Sequence, residues 1–372
     1  MRGKYEKRKP QKVKKGGKTA LIVLLVILVL VVGLIAAGVI YYNSLLNNIN
    51  HVEVPKVIYT EATTEPVEET QETAATETEA VETTEAPTQP HVASRDDYIN
   101  ILVVGQAARG GEEERFADTM MLFTINTYEK SVTMTSFLRD TFAIMPEYKG
   151  KSGRTKLTNI YHLGSYYGGG PENSMELMNM TLFRNFGVEV DYNFEVDFDA
   201  FVHIIDELGG VEIDLSEAEA AYLNADDFWV SNDVQPGPNT LDGMAALSFA
   251  RMRKDSEAHD SDIVRTSRQR RLVESVIAQL KKQGPGFIRY VAKEVFPMIT
   301  TSMSNSEITS LMLELLPMLP ELTIGEGGTC PAESWGDMVD IYGDGMKHSI
   351  LRFDEAKTKA YMRERTLGEI AN

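Results

Sequence analysis

Residues 20–40 read ALIVLLVILVLVVGLIAAGVI, twenty-one residues without a charge. Coiled as a helix they span roughly 30 Å, the thickness of a bilayer's hydrocarbon core. Residues 1–18 before the run carry nine Lys and Arg against one acid, Glu6. Tyr41 and Tyr42 follow it, where interfacial aromatics belong. A cleaved signal peptide is the alternative. Signal cores usually run ~7–15 residues and end in a small-residue cleavage site. This run is longer and exits through Tyr-Tyr-Asn-Ser-Leu-Leu. The pattern therefore predicts one retained transmembrane helix over residues 19–42. By the positive-inside rule the tail 1–18 stays cytoplasmic and the remainder lies outside. The expected location is the cell membrane, single-pass, with an extracellular C-terminal domain.

Residues 43–94 read as a spacer. Over 53–90 Thr, Glu, Ala and Pro alternate with almost no large apolar residue, so burial cannot offset the entropy of ordering them. The segment is predicted to be disordered and self-repelling. It also contributes to the net charge of −18, which excludes a generally basic nucleic-acid binder. Nucleic acid is not an expected partner, because an external domain never meets the chromosome. Cys330 is the single cysteine, so there is no intramolecular disulfide and no cysteine-based zinc site. The six histidines form no zinc-binding pattern either.

Residues 95–372 have globular texture. Apolar runs at 98–105, 119–126 and 132–137 predict strands, as do 192–196 and 211–215. Apolar positions spaced for one helical face predict helices at 172–186 and 199–208, closed by Gly187 and by Gly209-Gly210. Further helices are expected at 241–251, 263–283, 306–316 and 354–364, and a strand at 338–341. This alternation predicts an α/β domain, a mixed central β-sheet with helices on both faces. The apolar faces at Met175–Phe186 and Phe201–Leu208 read first as core; their methionines also suit a pliable apolar pocket.

Serine-nucleophile motifs and phosphate-binding loops are absent. What remains is a set of arginines and acids at the ends of predicted elements: Arg109, Asp118, Arg139 and Asp140. A locally basic stretch then runs from Arg251 to Arg271 with seven Lys and Arg against four acids. Within it Arg265, Arg268 and Gln269 are spaced i, i+3, i+4 on one helix. Guanidinium forks suit phosphate oxygens, and several converging on one point would repel one another without an anion. A pyrophosphate with Mg²⁺ would resolve that repulsion. A solvated helix face, paired with Asp255, Asp260 and Asp262, is the plainer reading. Asp118 alone reads more readily as a turn-former than as a metal ligand, and His162 and His259 as surface or turn residues.

The ordered segments together resemble the LytR-CpsA-Psr family of bacterial cell-envelope proteins. The likeness is carried by NILVVGQAAR (100–109), ADTMMLFTIN (117–126), SFLRDTF (136–142), VDYNFEVDFDAFVHIIDELGGVEID (190–214), LDGMAALSFARMR (241–253) and DIVRTSRQRR (262–271). The resemblance implies a membrane-anchored phosphotransferase that moves a glycopolymer from an undecaprenyl-pyrophosphate carrier to peptidoglycan, usually with Mg²⁺. It also implies an apolar pocket between sheet and helices for the prenyl tail. By motif position, Arg139, Arg251, Arg253 and Arg265 match the family's phosphate-contacting arginines. Arg109 matches the basic residue after the first strand, and Arg268 and Gln269 match its Arg-Gln pair. Asp118 matches one of two Mg²⁺-site aspartates, so Asp118 and Arg139 are the expected catalytic pair.

Two positions depart from the family pattern. Ala107 stands where the other metal-site Asp belongs, and Lys156-Leu157-Thr158 replaces Lys-Ile-Asn. Since Mg²⁺ needs oxygen ligands, three outcomes stay open. Glu112, Glu113 or Glu114 supplies the oxygen; Asp118 with phosphates and water suffices; or the domain binds the lipid without turnover. A membrane-tethered transcription regulator is the third class of function, disfavoured by the predicted topology. The polymer itself, teichoic acid, capsule or another wall glycan, is not specified by these motifs.

Overall fold

The structure is a computed structural model. It describes residues 44–57, 59, 94–106, 115–225, 233–252, 262–282, 294–315, 317–318, 320–343 and 346–368. The predicted transmembrane helix at 19–42 lies outside these, as does most of the spacer. Among the described residues no helix is long and apolar enough to cross a membrane. The chain divides into two compact units, Met1–Asn48 and Ile49–Asn372. Of the first, residues 44–46 make a helical turn, and the Asn48 backbone amide donates to the Leu45 carbonyl at 3.2 Å.

The second unit is built on an eight-stranded mixed sheet. In chain order its elements begin with β1 (Asn50–His51), β2 (Tyr98–Gln106), β3 (Ala117–Asn126) and β4 (Ser131–Phe137). A hairpin follows, β5 (Phe142–Tyr148) and β6 (Lys151–Lys156), then helices α1 (Leu157–Gly168) and α2 (Gly170–Phe186) and strand β7 (Tyr192–Val196). Next come α3 (Phe198–Glu207), β8 (Val211–Leu215), α4 (Glu217–Ala225), β9 (Gly237–Leu241), α5 (Gly243–Arg251) and α6 (Asp262–Lys282). The chain closes with β10 (Ile299–Thr301), α7 (Asn305–Leu315), β11 (Thr323–Ile324), β12 (Gly328–Cys330), β13 (Gly336–Gly343), β14 (Met346–Phe353) and α8 (Glu355–Leu367).

The sheet order is β1-β10-β7-β2-β3-β4-β11, and β12 also pairs with β4. Strands β2, β3 and β4 form an antiparallel meander, whereas β7 runs parallel to β2 and needs the α1–α2 crossover to return. The start of the range read as spacer belongs to this sheet. Asn50 and His51 pair in parallel with Thr300 and Thr301. Tyr59 packs its ring, tilted by 49°, against Phe183 with centroids 4.7 Å apart, exchanges 3.2 Å hydrogen bonds with the Val190 backbone, and has its hydroxyl pKa pushed up to about 12 by burial. Aromatic burial and backbone pairing here supply what the acidic stretch lacks.

Strand alternation divides the apolar residues between two layers. Leu102, Val104, Met120 and Leu122 point into a core with α1, α2 and α8, where Met175, Met178, Leu182 and Phe186 are fully buried. That is the core reading of the 172–186 face. The helices on the other layer form a second cluster from α3, α4, α5, α6 and the β8–β9 hairpin. Asp197 and Asp242 start α3 and α5 by accepting 2.8 Å hydrogen bonds from Ala200 and Ala245 backbone amides, caps each contributing about 1 kcal/mol. Leu241, expected to open a helix, instead ends β9 opposite Val211.

Candidate functional site

The strand residues that point away from the first core face a cavity of about 830 Å³. Val103, Met121 and Phe123 form its floor, and Phe201 and Ile204 of α3, Leu247 of α5 and Val276 of α6 its walls. The 201–208 face is thus a cavity wall as well as core. The polar lining is confined to a few side chains, among them Asp118, Arg251, Arg265 and Gln269. An apolar chamber with a few convergent polar groups is the usual form of a ligand site, and here those groups suit an amphiphile with an anionic head.

Arg139 sits immediately behind this lining, two residues past β4. Its Nη1 donates to Asp118 Oδ1 at 2.7 Å, and its Nε lies 3.5 Å from Asp262 Oδ1 and 3.8 Å from Asp140 Oδ2. Asp262 also accepts from the Arg139 backbone amide at 3.3 Å and pairs with Arg265 Nη2 at 2.6 Å. That same Nη2 donates to the Asp118 carbonyl at 3.2 Å. Lys156 reaches Asp140 at 2.7 Å. Asp118, Asp140 and Asp262 therefore balance Arg139, Arg265 and Lys156. The plainer reading holds for Arg265, which pairs with Asp262, and the anions that offset the converging guanidiniums are the protein's own carboxylates. Burial opposes the Arg139 charge, but Asp262 and Asp118 outweigh it and raise its pKa. Burial also pushes the Asp262 carboxyl up, against the pull of Arg265 and Arg139.

Arg251 lies with its guanidinium carbon 4.8 Å from the Phe198 ring centroid, a cation–π contact at the cavity wall. Gln269 turns a buried amide oxygen, without a hydrogen-bond partner among the described residues, beside the same chamber. Arg268 is placed elsewhere. Its Nε bonds Glu219 at 3.0 Å and its Nη1 the Met252 carbonyl at 3.2 Å. Glu219 also takes Arg271 at 2.7 Å. Burial alone would raise the Glu219 carboxyl pKa, but Arg271, the Ser216 backbone amide and Arg268 bring it below its ordinary value. Arg265 and Gln269 share the cavity face of α6, while Arg268 is offset by about 60° around the helix toward Arg271. Grouping all three on sequence spacing ignored that offset.

Arg109, Arg253, Ala107 and Glu112–Glu114 lie outside the described residues. Among those described, no three acidic, His or Cys side chains cluster so as to hold a metal. Asp118 offers a hard oxygen donor at the cavity, with Oδ1 engaged by Arg139. The pairing of Asp262 with the basic stretch was expected, and Asp262 and Arg265 stand at i and i+3; the links that Asp140 makes to Arg139 and Lys156 had no sequence signal. A second polar cluster was missed altogether: Tyr161 donates to buried Glu195 at 2.5 Å, and Arg115 pairs with that carboxylate at 2.6 Å. Burial, then Glu195, drives the Tyr161 hydroxyl pKa well up.

The teichoic acid transferase TagU of Bacillus licheniformis is 30% identical over 182 residues, 49% of this chain and 52% of that protein. TagT of Bacillus subtilis is 30% identical over 189 residues, 50% and 53% of the two chains. The regulatory protein MsrR of Staphylococcus aureus is 31% identical over 195 residues, 52% and 51%. The chain spans about half the length of these curated relatives. In fold, it resembles the crystal structure of B. subtilis TagT with a TM-score of 0.53 and 22% identity, over 77% of this chain and 96% of that one. It also resembles TagT with bound octaprenyl pyrophosphate lipid, with a TM-score of 0.51 and 20% identity, over 76% and 95%. The sequence model of the LytR_cpsA_psr family matches residues 57–321, more than half of the chain, and the protein belongs to that family.

Proposed function

We propose that the protein is a membrane-anchored, extracytoplasmic phosphotransferase that moves a glycopolymer from an undecaprenyl-pyrophosphate carrier to peptidoglycan. The observation that carries this reading is the apolar chamber with Arg251 and Arg265 in its lining and Arg139 one ion pair behind. The prenyl tail would lie along Phe123, Phe201 and Leu247, and the diphosphate would meet the arginines. Two relatives are named as transferases of teichoic acid to peptidoglycan, and TagT has been solved with a prenyl pyrophosphate. An acceptor hydroxyl attacks the sugar-bearing phosphorus, a phosphodiester forms, and polyprenyl phosphate departs with the bridging oxygen and its electron pair. Phosphoryl transfer asks chiefly for positioning and charge stabilisation. Arg139 and Arg265 would stabilise the departing phosphate, and Asp118 would orient Arg139 or receive the acceptor proton. Mg²⁺, held by Asp118 and the donor's own phosphate oxygens, would add further charge neutralisation.

A second reading, capture of prenyl pyrophosphate without turnover, is motivated by Ala107, which stands where the family resemblance puts a metal-site aspartate. One assay separates the two. The full chain in detergent is mixed with a lipid-linked oligosaccharide and peptidoglycan, with and without Mg²⁺. Polymer joined to peptidoglycan supports the transferase; tight lipid binding without product supports the capture module. Protease accessibility of the C-terminal domain on intact cells tests the topology, and a protected domain would refute it.

A further inference from the structure

The hairpin β5–β6 stands out in charge. Residues 142–156 carry Lys149, Lys151, Arg154 and Lys156 against one acid, Glu147, in a chain of net charge −18. Lys149, Lys151 and Arg154 are exposed, and none forms an ion pair with a carboxylate among the described residues. Lys156, at the base, reaches Asp140 at 2.7 Å, beside Arg139. The following residues are fastened to the same place, since the Thr158 amide donates to the Arg139 carbonyl at 3.1 Å and the Leu157 amide to the Thr141 carbonyl at 3.0 Å. In the hairpin register Ile144 faces Arg154 and Phe142 faces Lys156, so Arg154 and Lys156 share one side. Their Cα atoms are about 7 Å apart. Cationic side chains thus continue outward from the arginine site along a strand, toward a tip bearing two more.

The tip adds an independent observation. Tyr148 pairs with Lys151 across a two-residue turn, with φ 48° at Lys149 and 76° at Gly150. Such turns favour Asn or Asp before Gly, because few side chains tolerate the left-handed region. Lys130 also has positive φ, at 53°, but its ammonium pairs with Glu321 at 2.5 Å. Lys149 has no such carboxylate among the described residues; its ammonium lies 5.4 Å from the Tyr148 ring centroid. A cation is kept at the tip in a backbone conformation that disfavours it, and strain of this kind accompanies binding sites.

We infer that this hairpin is a docking strand for an anionic polymer, one bearing phosphates or carboxylates along its length, as it extends from the arginine site. The inference rests on the proposed donor site and adds to it a place where the polymer part of the donor is held. Binding is read on the full chain in detergent with four probes: octaprenyl pyrophosphate, a poly(glycerol phosphate) oligomer, neutral dextran of equal length, and phosphatidylglycerol vesicles. Lys151→Ala with Arg154→Ala should weaken the poly(glycerol phosphate) roughly tenfold, since two exposed charges each contribute a few-fold. The variant should leave octaprenyl pyrophosphate untouched, and the parent's polymer affinity should fall steeply with salt. Lys149→Asn should raise the melting temperature while weakening the same polymer. Unchanged polymer affinity in the double variant, or equal binding of dextran by the parent, overturns the inference. So does a loss confined to the vesicles, which would make the hairpin a membrane contact. If the parent ignores octaprenyl pyrophosphate but binds the polymer through these residues, the donor-site reading fails and the docking strand stands.

Discussion

Arg139 is the residue on which the site turns, because it touches Asp118, Asp140 and Asp262. Arg139→Ala should lower transfer on the order of 10²–10³-fold, the cost of losing one preorganised charge-stabilising donor. Arg139→Lys should recover only part of it, because an ammonium lacks the planar fork. The check is the initial rate with a lipid-linked donor, with circular dichroism to confirm the fold; parental rates in either variant would remove Arg139 from the mechanism. Glu219 illustrates the opposite role, a buried carboxylate held by Arg268 and Arg271 outside the cavity lining. Its folded pKa is depressed, so the unfolded chain binds the proton more readily. The stabilisation is therefore present above the ordinary glutamate range and is lost as pH falls through the lower folded value. Glu219→Gln should melt well below the parent at neutral pH, with the gap narrowing under acid. A pH-independent gap would show that packing, not charge, sets the effect. Sequence spacing could name Arg265, Arg268 and Gln269 but not assign them to different neighbours, because only the packed helix reveals where Glu219 lies.

At the scale of elements, what was legible depended on length and periodicity. Strands β2, β3, β4 and β7 and helix α2 declared themselves through apolar runs or a one-sided stripe, and α2 ends where Gly187 takes φ 70°. Helix α1 did not, because LTNIYHLGSYYG is rich in Gly, Thr, Asn and Tyr, whose intrinsic helix preference is low. Tertiary contact with α2 supplies the stability instead, and Gly164 shows how close that contact is. A Cβ there would lie 2.4 Å from the Asn173 carbonyl oxygen and 2.5 Å from Ser174 Cα, both backbone atoms. Gly164→Ala should therefore destabilise by about 1–3 kcal/mol, the usual cost of overpacking, although alanine is the better helix former. Thermal melting decides it: a rise in midpoint would mean that propensity outweighs packing and that the helices separate readily. The short strands β10, β11 and β12 had no sequence signature, because two or three residues carry no period and their place is set by the neighbours they pair with.

For the whole molecule, the division of one sheet between two layers creates the site. Leu102, Val104, Met120 and Leu122 are consumed by a packed core, while their strand neighbours Val103, Met121 and Phe123 face open space. By pattern alone the sequence presents both sets as equally apolar and predicts burial for each; the hollow was expected only from the family resemblance, which implied an apolar pocket between sheet and helices. The hollow arises because α3, α5 and α6 close on their own cluster with the β8–β9 hairpin, leaving part of the sheet face unfilled. Filling the space should then cost function but not stability. Leu247→Trp places a large ring in the chamber, where there is room for it, so the penalty of inserting atoms into a close-packed core does not apply. The expected result is a melting midpoint equal to or above the parent's, together with loss of prenyl pyrophosphate recovered with the purified chain and scored by mass spectrometry. If the variant retains prenyl lipid at parental stoichiometry, the tail does not occupy this chamber. A sharply lowered midpoint would mean that the chamber is already packed and that the walls cannot accommodate a guest of any kind.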